Sequence, residues 1–177
     1  MIRNVENRGS YLGYKSRGNK GAERAFHLRN KFSISEPKQV IPGFKEHFFY
    51  QVYFKNLPKT PFEVQNLIAI DIGANLSFFS FLAWYKLPTA KVIAFEPIAR
   101  NFMLLEKNTQ GIEANKLVTN QAAVSDVLGE ILLQFNEQAI TASAGLLTNS
   151  LGSTEETARS TTSSATFTTH QLQKIDL

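Results

Sequence analysis

The sequence predicts an α/β fold built on a doubly wound, mostly parallel sheet. Two short apolar runs, residues 66–71 (NLIAID) and 91–96 (KVIAFE), each end in a carboxylate and are closely followed by a turn residue, Gly73 or Pro97. Between them lies an apolar stretch of helical length, residues 76–86. A second helical stretch and further strand-like runs follow. Strand, helix, strand, helix, strand is the order of parallel strands joined by crossovers.

Each element has its own justification. Residues 1–25 show no sustained apolar period and read as loosely structured. Residues 26–54 mix aromatics with Pro37, Pro42 and Gly43, and read as a short strand or two with a helix near residues 45–55. Residues 59–61 (KTP) form a break, so residues 1–60 are a partly structured lead-in and residues 61–177 the main domain. The run 66–71 is apolar at successive positions, as in a strand covered on both faces. Residues 76–86 (LSFFSFLAWYK) are apolar nearly all round and stop before Pro88; their length suits a helix. Residues 91–96 form the second strand. Residues 99–109 (ARNFMLLEKNT) read as a helix with Phe102, Leu105 and Met103 towards one face and Gly111 as its stop. Residues 116–124 are the expected third strand and 130–135 the fourth, joined by a turn at 126–129. Fifteen of the 29 residues from 141 to 169 are Ser or Thr, which points to a long loop or weak hairpin there. Apolar order resumes at residues 171–177.

Composition narrows the function classes. The 177 residues are 43% hydrophobic and 19% charged, values that suit one globular domain with a core. The absence of Cys excludes disulfides, thiolate metal sites and a cysteine nucleophile, and fits a reducing compartment. His27, His47 and His170 are scattered without partners nearby in sequence, so no metal site is expected. No apolar signal segment follows the polar first ten residues, and no apolar run is long enough to span a bilayer; the expected location is cytoplasmic. The net charge of +4 hides an asymmetry: residues 1–60 carry +8 and residues 61–177 carry −4. A basic lead-in suits a solvated segment, or one that attracts phosphate groups.

The chemistry is concentrated at residues 71–77 (DIGANLS). A strand ends, Gly73 allows a sharp turn and close ligand approach, and a helix begins. Its N-terminal amides and dipole are expected to receive an anionic group. Glu96 ends the next strand, where a carboxylate can accept both hydroxyls of a ribose. Together they imply an adenosine-type ligand across two strand ends. A dinucleotide fingerprint needs a second glycine where Asn75 stands. Asp71 suits the ammonium of a methionine moiety better than a pyrophosphate. The pattern therefore favours S-adenosylmethionine over NAD.

Residues 71–75 (DIGAN), 94–97 (AFEP), 101–108 (NFMLLEKN) and 122–126 (AAVSD) with Gly129 resemble, in order and spacing, successive blocks of the FkbM-type methyltransferases. The resemblance covers residues 66–177. It implies a Rossmann-like methyltransferase fold, S-adenosylmethionine as cofactor, and methyl transfer to a hydroxyl of a sugar or secondary metabolite. By the same resemblance Asp71, Gly73 and Asn75 line the methionine end, Glu96 holds the ribose, and Asp126 reaches the adenine amino group, with Val124 and Phe95 beside the ring. Ala74 and Pro97 belong to the same blocks and count as cofactor-binding positions. Ser77 departs from the glycine usual there. Residues 174–177 (KIDL) resemble those just before, or at the start of, the family's fourth core strand; the acidic block expected next is missing, so a C-terminally truncated domain is expected. No general base is identified.

Blander roles stand beside these. Asp71 can be a helix-terminal charge, Glu96 a surface carboxylate, Asn75 a helix cap and Asp126 the start of a tight turn. Two other functions compete: a non-catalytic remnant that binds the cofactor weakly or not at all, and an RNA methyltransferase using the basic lead-in. The chain has no aromatic–basic motif of the RNA-module type, so a small-molecule or saccharide acceptor is the expected partner.

Overall fold

The structure, a computed structural model, describes residues 24–27, 33–36, 67–135 and 154–162. The expected helix at residues 45–55, the break at 59–61, His47, His170 and residues 171–177 lie outside the described residues.

Strands β1 (Arg24–His27) and β2 (Ser33–Glu36) pair antiparallel. The main unit begins with β3 (Ile68–Ile72) and continues through helix α1 (Phe78–Lys86), β4 (Lys91–Phe95), helix α2 (Ala99–Thr109) and β5 (Leu117–Asn120). The three strands form a parallel sheet in the order β3-β4-β5. The chain therefore has mixed α/β content with parallel strands joined through helices, as the sequence predicts.

The core explains the apolar runs. Val92, Ile93, Ala94 and Phe95 are all buried, so β4 is covered on both faces. Leu76, Phe78, Phe81, Leu82 and Trp84 pack with Val92, Ala94, Leu105 and Leu117 into one cluster. Full burial of a side chain such as Phe81 or Leu82 is worth about 1.5–3 kcal/mol, and α1 is buried nearly all round because nearly all of it is apolar. Trp84 adds an edge-on contact with Phe81, ring centres 5.8 Å apart, and its Nε1–H donates to the Ala90 carbonyl at 3.1 Å.

Four expectations need correction. Helix α1 starts two residues later than expected, because Asn75 and Ser77 both adopt positive φ, 49° and 73°, and break the helical path. Helix α2 turns Leu105 and Phe102 to the core as expected, but Met103 is 65% exposed and the polar Asn101, Asn108 and Thr109 are buried beside Leu105. The predicted third strand splits after Asn120, and its second half is β6 (Ala123–Ser125) in another sheet.

The fourth concerns the Ser/Thr-rich segment, which contains a nine-residue strand, β8 (Thr154–Thr162), rather than only loop. It lies between β6, to which it is parallel, and β7 (Gly129–Phe135), to which it is antiparallel. The turn joining β6 to β7 is present, but the two strands do not pair; Ser160 of β8 sits opposite Ala123 and Gly129 at once. Thr is β-branched and suits an extended backbone. Ala158 and Ser160 point inward and Glu155, Thr157 and Arg159 outward, an alternation with too little apolar contrast to read from the sequence.

Candidate ligand site at the strand ends

The register of β3 on β4 places Asp71 opposite Ala94 and Ile72 opposite Phe95. The strands therefore end side by side, with Glu96 following Phe95. Gly73 at φ 73° turns the chain so that its own N–H and that of Ala74 both donate to the Phe95 carbonyl, each at 2.9 Å. The Asn75 N–H donates to Glu96 Oε2 at 2.8 Å. Three successive amides of the turn are thus committed to β4 and its carboxylate. The sequence suggests amides waiting for an anion; the structure spends these three on closing the turn.

Glu96 is only 3% exposed. Its other oxygen, Oε1, accepts from the Ile98 N–H at 3.0 Å, and the Asn101 side chain also bonds to the carboxylate. Burial raises its pKa above the ordinary carboxylate value, against the pull of these donors. Asp71 is buried at the end of β3, where Ser80 Oγ of α1 donates to Oδ2 at 2.7 Å. Burial pushes Asp71 up to about 6, the Ser80 hydroxyl and N–H oppose the rise, and the charge of Glu96 adds to it.

Helix α2 has no side-chain cap of its own at Ile98. Its first donors are instead taken by carboxylates from elsewhere: Ile98 N–H by Glu96, and Ala99 N–H by Glu156 Oε1 of β8 at 2.8 Å. Ile98 also packs with Leu133 and Ala158, so the second sheet meets the site at the start of this helix. From the far end of α2, Asn108 Nδ2 donates to the Leu76 carbonyl at 3.1 Å and steadies the turn. Two buried polar side chains of α2, Asn101 and Asn108, thus bond to the site, beside the apolar Leu105.

Of the residues expected at the ligand, Asp71, Gly73, Ala74, Asn75 and Glu96 are brought together, and Pro97 follows directly. Val124 and Asp126 belong to the β6 end of the second sheet. Asp126 is exposed, and Ser125 Oγ, 3.1 Å from its carboxylate oxygen, lies within 3.4 Å of the Val127 N–H, as in a tight turn. Ser77 is fully buried in the left-handed region, a conformation glycine adopts without strain, which accounts for a glycine preference there.

Sequence reasoning missed Ser80, Asn101 and Glu156. Ser80 sits nine residues past its partner Asp71, and Asn101 five past Glu96, separations short enough to have suggested local contacts. Glu156 is 57 residues from its partner and left no such signal.

Gly73 is exposed, and a Cβ built there would meet no atom of the described residues within 4 Å. Among the described residues, the buried or half-buried charged groups bonded at the turn and at the start of α2 are the carboxylates Asp71, Glu96 and Glu156. Such an arrangement accepts hydrogen bonds and favours cations and hydroxyls over phosphates. Among the described residues no helix is long and apolar enough to cross a membrane, and no cluster of side chains suits a metal ion. No protein-family model matches the chain, and no curated protein matches it significantly in sequence.

Proposed function

We propose that the chain binds S-adenosylmethionine at the carboxyl ends of β3 and β4, within a Rossmann-like fold, and is a methyltransferase of the FkbM type acting on a hydroxyl of a sugar or secondary metabolite. One observation carries the ligand: two buried carboxylates end adjacent parallel strands around an exposed glycine turn whose first amides are already used. The donor set fits this cofactor. A carboxylate has about four acceptor positions; Glu96 keeps one beyond its bonds to Asn75, Ile98 and Asn101, and Asp71 keeps more beyond its bonds to Ser80. In this reading Glu96 accepts from a ribose hydroxyl and Asp71 balances an ammonium or sulfonium charge. A pyrophosphate would meet these carboxylates with like charge.

Bound here, the cofactor would supply an already activated methyl group. The protein's task would then be alignment of an acceptor oxygen, in which proximity and orientation dominate. Asp71 would set the charge, Glu96 the ribose, and Gly73 the close approach.

A second reading has an observation of its own. Glu96 Oε1 and Oε2 both tie backbone amides, so it also serves as a bracket between the turn and α2. Calorimetric titration with S-adenosylmethionine and S-adenosylhomocysteine separates the two. Binding by the wild type, lost in a folded Asp71→Asn variant, supports the ligand site. A folded wild type that gives no heat with either compound leaves only the bracket.

A further inference from the structure

We propose that Glu156, on the middle strand of the second sheet, is a positioning residue for Glu96 and couples that sheet to the strand-end site. Neighbouring amides at the start of α2 are divided between two carboxylates: Ile98 N–H goes to Glu96 and Ala99 N–H to Glu156. With Ala99 occupied, Glu96 Oε1 stays on Ile98 and Oε2 on Asn75, which fixes the plane of the carboxylate. Without Glu156 the Ala99 amide is an orphan donor one residue from Ile98, and Glu96 can swing onto it. Packing of Ile98 against Leu133 and Ala158 keeps the two sheets close enough for the contact.

The groups that face Glu96 are the Asn75 amide from the turn, the Ile98 amide and Asn101 side chain from α2, the Asp71 charge from β3, and the Glu156 charge from β8. Burial raises Glu96 most, and the Glu156 charge raises it further. Removing that charge while keeping an acceptor should therefore let Glu96 ionise at lower pH. The effect on ligand binding rests on the proposed cofactor reading; the effect on Glu96 does not.

The test compares wild type, Glu156→Gln and Glu156→Ala. The Glu96 carboxyl is titrated by carbon-detected NMR in the ligand-free protein, and S-adenosylhomocysteine affinity is followed by calorimetry at neutral pH. Glu156→Gln keeps a carbonyl for Ala99 and loses the charge. Its Glu96 should titrate at lower pH than in wild type, with neutral-pH affinity unchanged. Glu156→Ala should weaken neutral-pH binding about fivefold, the scale of one lost hydrogen bond. An unchanged Glu96 titration in Glu156→Gln overturns the proposal, as does wild-type affinity in folded Glu156→Ala. Should the alanine variant not fold, the glutamine variant decides alone. A wild type that binds no S-adenosylhomocysteine refutes the cofactor reading, and the Glu96 titration still decides the positioning role.

Discussion

The two larger sheets among the described residues are built on different principles. The β3-β4-β5 sheet is held by its side chains: β4 is buried on both faces, and α1 drives large apolar groups into the same core. The β6-β8-β7 sheet is held largely by its backbone. Its central strand reads TEETARSTT, yet it is paired along both edges and contributes only Ala158 to an apolar cluster. Burial organises the first sheet and strand pairing the second, and the candidate site stands on the first with one carboxylate reaching it from the second.

The largest expected effect is a core truncation on the first side. Phe81→Ala should lower unfolding free energy by about 3–5 kcal/mol, measured by denaturant unfolding. A loss under about 1 kcal/mol would break the contrast between the sheets.

Next comes the buried charge. Asp71 has a folded pKa of about 6 against an ordinary 3.8, so the folded state holds a proton that the unfolded chain has released between those values. The stabilising contribution is complete below pH 3.8 and is lost as pH rises through 6, about 3 kcal/mol in all. Asp71→Asn should remove this slope and stabilise the chain at neutral pH. A slope of equal size in the variant would show that Asp71 is not its source. A carboxylate that weakens the ligand-free protein fits a binding role better than a structural one.

The apolar strands and helix α2 were legible because burial on both faces leaves continuous apolar runs, and because residues 99–109 begin after Pro97 and end before Gly111. The carboxylates Asp71 and Glu96 were legible because each sits where such a run stops. What they touch was not. The commitment of the Gly73 and Ala74 amides to Phe95, and of Asn75 to Glu96, depends on the register of β3 on β4, which the sequence does not encode locally. The same holds for β8. Its inward positions are Ala and Ser, too small and polar to stand out, and its place in the sheet is set by partners far along the chain.

Smaller effects sharpen the comparison. Ser77 holds φ 73° with a fully buried side chain whose hydroxyl bonds only to the neighbouring Leu76 carbonyl. Ser77→Gly should stabilise the chain by about 1 kcal/mol, visible as a higher denaturant midpoint; a lower midpoint would mean the buried hydroxyl matters more than the backbone. On the other side, Thr157 points outward from β8. Thr157→Ala should cost less than about 1 kcal/mol, the full span of strand propensity. A larger loss would mean side chains hold the second sheet as well.

The most direct test of the central claim is a map of backbone amide shifts as S-adenosylhomocysteine is added to the labelled chain. The account predicts saturable shifts at Gly73, Ala74, Asn75, Glu96 and Ile98, with the amides of Gly129–Phe135 little changed. Shifts confined to the second sheet, or none in a folded chain, would contradict it.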